Sequence, residues 1–158
     1  MSIDNKFKFE SRVSLAAPGV LRTNPDCSIV DERLIKILSE YHYGTGRNIS
    51  RCCVHKSNDS LLMLMVIIVT GKYIYPPHKH DWKDESYSIV CGECEYIEYN
   101  AEGEVNLRKT LSRGDIYMNE NKTFHALVPS TDELIFVEHT MGPFTESPLK
   151  YLKNRLAP

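Results

Sequence analysis

Three histidines and one glutamate carry the pattern richest in chemistry in this 158-residue chain. His78-Lys79-His80 sets two imidazoles two residues apart. On a strand such residues point to the same face, so both rings can reach one ion. Glu85 follows five residues after His80. In an unbroken strand it would face the other way, but the polar Asp81-Trp82-Lys83-Asp84 can turn or bulge and reset the register. Glu85, Tyr87 and Ile89 then share a face. Two imidazoles and a carboxylate on neighbouring strands match the facial arrangement that suits Fe(II), Mn(II) and related ions. His125 stands 40 residues after Glu85, amid the apolar stretch Phe124 to Val128. A histidine there needs a hydrogen-bond partner or a ligand role. Each feature alone has a plain structural reading, an exposed histidine pair or a satisfied core histidine. The combination in a strand-rich chain points to a site.

The elements that must hold these residues are mostly strands. Residues 31 to 43 read as a helix: Asp31 can cap it, Val30, Leu34, Ile35, Leu38 and Tyr41 fall on one stripe, and Gly44 follows as its stop. After Gly46, short runs rich in Ile, Val, Tyr and Thr alternate with Asn, Asp, Gly and Pro. The strands are expected at Ile49 to His55, Leu61 to Thr70, Tyr73 to Tyr75, Ser86 to Cys91, Glu95 to Tyr99, Val105 to Leu111, Asp115 to Met118, His125 to Val128 and Leu134 to His139. Many short strands with frequent turn signals indicate a sandwich or barrel. Leu61 to Thr70 is apolar on both parities, which suits a strand covered on both faces. Residues 1 to 28 are poorly patterned and read as an arm or irregular strand, packed on a partner subunit. Ser147-Pro148 reads as the start of a short C-terminal helix.

Composition narrows the function classes. Nineteen Lys and Arg against 21 Asp and Glu give a net charge of -2, which argues against a nucleic-acid binder working through a basic face. The longest apolar run, Leu61 to Val69, is too short to span a bilayer. The first ten residues lack the apolar stretch of a secretory signal. Five cysteines, an odd number, then read as reduced thiols in the cytoplasm. Cys91-Gly92-Glu93-Cys94 matches C-x-x-C, but it sits between two strand-like runs and has no second cysteine pair nearby to complete a zinc site. The expectation is a two-residue hairpin loop, Gly92-Glu93, with glycine first.

The spacing Gly71, His78-x-His80, Glu85, Gly92 closely resembles the first cupin motif, and Gly114 with His125 resembles the second. In the second, Glu120 and Lys122 stand where cupins usually carry Pro and Gly, and Pro129 where they carry Asn. Arg51-Cys52-Cys53-Val54-His55, Pro77-His78-Lys79-His80, Lys83, Glu85-Ser86-Tyr87 and Gly142-Pro143-Phe144 narrow the resemblance to the WbuC-type cupin metalloproteins, over roughly residues 30 to 145. The resemblance implies a mostly β fold: a cupin jelly-roll barrel, or double-stranded β-helix, with an N-terminal helix and a short C-terminal helix. The implied organisation is an arm over 1–28 and a single cupin domain over 29–158, with the barrel at about 49–140 and a tail over 141–158. It also implies one divalent metal ion, Fe, Mn, Ni or Zn, held by His78, His80, Glu85 and His125.

Around that centre, Arg51, His55 and Lys83 are candidates for substrate binding, because basic groups beside a metal suit a carboxylate or phosphate. Glu85 and Tyr87 are the candidates for proton transfer. Trp82 either lines the entrance or makes a subunit contact. His42, at a helix end where a cationic imidazole is favourable, gets no role. The functional expectation is a metal-dependent enzyme acting on a sugar or nucleotide-sugar, in line with the link between WbuC-type proteins and surface polysaccharide. The alternatives are an Fe(II) dioxygenase on a small molecule, a non-enzymatic metal- or sugar-binding module, and a metal-free epimerase or ketoisomerase. A homodimer is expected, because paired subunits bury strand edges.

Overall fold

The computed structural model describes residues 11–71, 73–120, 123–144 and 150–152. In chain order the elements are β1 (Val13–Ala17), β2 (Val20–Thr23), α1 (Glu32–Thr45), β3 (Ile49–Cys53), β4 (Leu62–Thr70), β5 (His78–Lys79) and β6 (Glu85–Cys91). There follow β7 (Glu93–Tyr99), β8 (Val105–Ser112), β9 (Ile116–Asn119), β10 (Phe124–Pro129), β11 (Glu133–Met141) and β12 (Lys150–Tyr151). They form two sheets, one in the order β1-β2-β3-β4-β11-β6-β9 and one in the order β12-β5-β10-β7-β8. No helix among the described residues is long and apolar enough to cross a membrane.

Helix α1 starts where Asp31 was expected to cap it: the Leu34 N–H donates to Asp31 Oδ1 at 2.9 Å. It runs past Gly44 and stops at Gly46, whose φ of 64° closes the last turn. Gly44 lies inside the helix, because the left-handed residue that ends it comes two positions later. Its apolar stripe includes Ile37 beside Leu34, Leu38 and Tyr41. These pack on the outer face of the larger sheet, against Cys52, Val66, Ile68 and Val137. Each aliphatic side chain buried there contributes about 1.5–3 kcal/mol. The alternate residues of the same strands, Met65, Ile67 and Phe136, face the inside of the barrel. Strand β4 is thus covered on both sides, as its unbroken apolar run requires.

Several expectations change. Of the arm or irregular strand expected over residues 1–28, residues 13–23 are strand: β1 and β2 form a hairpin, and β2 runs parallel to β3, extending this chain's own large sheet. Leu21 is fully buried there, and the Gly19 N–H donates to the Tyr41 hydroxyl at 2.8 Å, which ties the hairpin to the helix. Residues 1–10 lie outside the described residues. Tyr73 to Tyr75 is not a strand. The expected start of the C-terminal helix, Ser147-Pro148, lies outside the described residues. Where that helix would continue, Lys150 and Tyr151 pair with β5 instead, covering an edge that β5 would otherwise leave open.

Gly92-Glu93 is not a hairpin loop. Strand β6 bonds to β11 and β9 in the large sheet, whereas β7 bonds to β10 and β8 in the small one. Gly92 is the corner at which the chain changes sheets, with φ of 80°. A Cβ here would sit 2.1 Å from the Glu133 carbonyl oxygen. The corner also separates the two cysteines: Cys91 is exposed, and Cys94 is buried with its thiol pushed up to about 12 by desolvation. A buried thiol with a raised pKa lacks the thiolate character that a redox-active C-x-x-C depends on. All five cysteines are free.

His42 also differs from expectation. It is buried, its Nδ1 3.0 Å from Ser50 Oγ and its Nε2 2.8 Å from Thr70 Oγ1, so it joins α1 to β3 and β4 as a neutral ring. Burial pushes its imidazole below the ordinary value of 6.5. The unfolded chain therefore takes up the proton more readily than the folded one, and stability falls as pH drops below about 6.5. Urea unfolding across pH 5 to 8 should show that slope in wild type and a flatter one in His42→Gln. Gly92→Ala should lower stability by more than about 1 kcal/mol, read from the same unfolding curves, because both φ and space forbid the methyl group.

Candidate metal centre

Four side chains from both sheets converge inside the barrel. His78 comes from β5 and His125 from β10, and the two residues are register partners. Their ring centroids are 4.6 Å apart. Glu85 opens β6 in the opposite sheet, after the Asp81–Asp84 loop has reset the register. Ligand atoms of His78, Glu85 and His125 all lie within 4.8 Å of one another. His80 joins through Glu85, with Nε2 3.0 Å from Oε1. The other carboxylate oxygen, Oε2, is 3.2 Å from His125 Nε2.

The rings are oriented from behind. His78 Nδ1 lies 3.1 Å from the Pro76 carbonyl oxygen, and His125 Nδ1 lies 3.0 Å from that of Thr123. A carbonyl only accepts, so each Nδ1 carries a hydrogen and each Nε2 is left to point into the cluster. Tyr96 stacks on His125 with rings 16° from parallel, and its hydroxyl donates to Asn119 Oδ1 at 2.6 Å. Asn119 in turn packs beside the His125 ring, its Nδ2 3.2 Å from Nδ1. Sequence reasoning missed Asn119 and Tyr96. Neither belongs to a motif, and only the pairing of Glu85 with Asn119 across β6 and β9 brings the amide to the site.

Tyr87 sits directly behind the carboxylate. Its hydroxyl donates to Glu85 Oε2 at 2.7 Å and lies 3.1 Å from His125 Nε2. Burial pushes the phenol well above its ordinary value, so it stays protonated and remains a donor. Burial also pushes the Glu85 carboxyl up, but the flanking His125 and His80 outweigh it and hold the group below the ordinary carboxylate value. Burial, reinforced by neighbouring His125, pushes the His78 imidazole down to about 4, so it is neutral at physiological pH. A neutral imidazole and an ionised carboxylate are the protonation states a metal requires. His125 Nε2 and Glu85 Oε2 face each other at 3.2 Å, so a positive charge, a proton on the ring or an ion in its place, has to lie between them. This donor set fits a divalent ion.

The cluster forms one wall of a cavity of about 320 Å³ inside the barrel. Arg51, Lys83, Tyr87 and Glu138 also line it, among apolar walls that include Met63, Met65, Ile67 and Phe136. Lys83 is 7% exposed, and burial pushes its ammonium down. Trp82 is half-buried beneath it, with the ammonium 5.2 Å from its ring. His55 does not reach the cavity. Strand β3 ends at Cys53, so the alternation that aims Arg51 inward is lost, and His55 Nδ1 lies against the Leu64 carbonyl oxygen at 3.1 Å. Glu138 is a cavity residue that sequence reasoning missed. The alternating β11 run Leu134, Phe136, Glu138 was the available signal, since a lone acid at an inward position of a core strand is out of pattern. Burial and nearby Glu85 push its carboxyl up to about 8, against the pull of Arg51 and Lys83.

In sequence, the family described as "Domain of unknown function (DUF6016)" matches residues 30–111, just over half the chain. No curated protein matches. Among solved structures, a conserved protein with a double-stranded β-helix domain from Klebsiella pneumoniae aligns with a TM-score of 0.52 at 22% identity, over 65% of this chain and 84% of that one. A cupin superfamily protein from Desulfitobacterium hafniense aligns with a TM-score of 0.50 at 13% identity, over 59% and 76% of the two chains. The DMSP lyase DddQ from Ruegeria pomeroyi aligns with a TM-score of 0.53 at 21% identity, over 68% and 54%. These likenesses establish the cupin fold.

Tyr87→Phe removes only the hydroxyl that serves Glu85. Urea unfolding should show a loss of about 1.5–3 kcal/mol, the worth of a hydrogen bond to a buried charge, with no change in the folded-state circular dichroism.

Proposed function

The chain belongs to the DUF6016 family and folds as a cupin, and on that premise we propose that it is a metal-dependent enzyme acting on a small molecule held inside the barrel. The observation that carries this reading is the convergence of His78, Glu85 and His125, with His80 against the other oxygen of Glu85 and the His78 and His125 rings turned by backbone carbonyls so that their Nε2 atoms point into the cluster. A divalent ion bound there would act as a Lewis acid on a carbonyl or hydroxyl of the substrate. The chain's own residues do the rest. The Pro76 and Thr123 carbonyls hold the rings, Tyr87 keeps a donor on Glu85, and the apolar walls exclude water.

The cavity bears on the substrate. A volume of about 320 Å³ lies at the small end of the range for small-molecule sites. That supports a substrate well short of nucleotide-sugar size. The second reading is an acidic monosaccharide handled in surface-polysaccharide biosynthesis. It is carried by the WbuC-like residues, Arg51 through His55, Pro77 through Glu85, and Gly142-Pro143-Phe144. The five free thiols support a reducing compartment, and the cytoplasm is our proposal for its location.

Metal analysis tests the central claim. Protein purified without chelator, or loaded afterwards, should hold about one divalent ion per chain, and His125→Gln or Glu85→Gln should weaken retention on the order of 100-fold. Absence of specific binding after loading would overturn the reading. Turnover that is lost on chelation and restored by the ion separates an enzyme from a binding module.

A further inference from the structure

The cavity contains three charged side chains that the histidine–glutamate cluster does not use. Arg51 projects from β3, Glu138 from β11 and Lys83 from the loop before β6, and all three line the same space. Among the described residues, none of the three makes an ion pair or a hydrogen bond. Lys83 is more than nine-tenths buried, yet its ammonium meets only the rings of Trp82 at 5.2 Å and Phe144 at 5.6 Å. The residue is buried but lines the cavity, so its ammonium is left for a ligand or water inside the barrel to receive its hydrogens. Arg51 and Lys83 both act on Glu138, so the three form one group.

The charge count sets the sign of the ligand. Glu85 lies in the same cavity and acts on both Lys83 and Glu138, so with Glu138 ionised the two cations and two carboxylates balance, and with Glu138 protonated one net positive charge remains. The group is never net negative, its cationic side is Arg51 and Lys83, and the guanidinium fork suits a carboxylate. The surrounding wall sets the rest. Arg51 stands opposite Ile67, Ile67 opposite Phe136, and Glu138 opposite Met65. Hydrocarbon beside a cation pair leaves the hydroxyls of a sugar without partners, whereas it suits a carbon chain.

We infer that Arg51 and Lys83 form the anion-binding end of the substrate site and that its ligand is a small amphipathic carboxylate, the carboxylate held by the two cations and the carbon chain lying along Met65, Ile67 and Phe136. This deepens the proposed function and rests on it only for the identity of this cavity as the substrate site. The anion-binding end needs no metal.

Trp82 is the one tryptophan of the chain and lies under Lys83, so its fluorescence reports on the site. The probes are hexanoate, hexan-1-ol and glucuronate, titrated by fluorescence and by calorimetry into wild type as purified and after chelator treatment. Hexanoate should bind both forms at least tenfold more tightly than either of the others, and Arg51→Gln and Lys83→Gln should each weaken it by about tenfold or more. Equal or tighter binding of hexan-1-ol would overturn the anion-binding end. Tighter binding of glucuronate would overturn the apolar body, and unchanged affinity in folded variants would overturn the named residues. The comparison of hexanoate with hexan-1-ol needs no variant and stands if a variant fails to fold. A protein that binds hexanoate but no divalent ion would refute the metal reading alone. One that binds the ion but not hexanoate would refute this inference alone.

Discussion

A carboxylate buried in a barrel has to be answered by positive charge or by donors, and the answer given to Glu85 organises this molecule. Its two oxygens meet His80 at 3.0 Å, His125 at 3.2 Å and the Tyr87 hydroxyl at 2.7 Å. These come from a loop, from the small sheet and from its own strand in the large one. The carboxylate therefore stands at the junction of the two sheets. Burial alone would neutralise it, and the flanking histidines keep it ionised. His78, held neutral by burial, leaves an uncharged imidazole beside that carboxylate.

The rest of the fold serves to bring those residues together. Gly92 lets the chain leave the large sheet for the small one where any side chain would strike the Glu133 carbonyl. The pairing of β10 with β5 sets His125 opposite His78. The nine-residue pairing of β11 with β4 makes the wall that carries Phe136 and Glu138 into the cavity. On the other side of that wall, α1 and the β1–β2 hairpin cover the apolar outer face, with Tyr41 and His42 tying helix to strands. The stability of the outer layer and the shape of the inner cavity therefore share the same strands, alternate residues serving each.

Glu85 and Glu138 show how one cavity can hold two carboxylates in different states. Glu85 is surrounded by imidazoles and stays charged. Glu138 has only Arg51 and Lys83 to offset its burial, and burial, reinforced by repulsion from Glu85, lifts it to about 8. Two carboxylates on neighbouring strands thus differ through their neighbours alone.

Much of this was legible in the sequence, because it depends on local spacing. The H-x-H pair, the polar Asp81–Asp84 interruption and the restart at Glu85 dictate which side chains share a face, and β-strand alternation is a property of the chain itself. The helix cap at Asp31 and the doubly covered β4 were legible for the same reason. Other features depend on which strand lies beside which. The Gly92 corner looked like a hairpin because a turn residue does not reveal whether its flanking strands bond to each other. His42 looked like a helix-end cation because its partners, Ser50 and Thr70, come from other strands. His55 fell away from the cavity because β3 ends two residues before it, and the hairpin in residues 13–23 acquired order only by pairing with β3. Asn119, Tyr96 and Glu138 carry no motif and reach the site only through register. Local spacing by itself determined the H-x-H pair and the return of Glu85 to its face, and the resemblance to cupins added His125 to the ligands. Tertiary structure decided what surrounds them, since charge, burial and hydrogen bonding are set by neighbours distant in the chain.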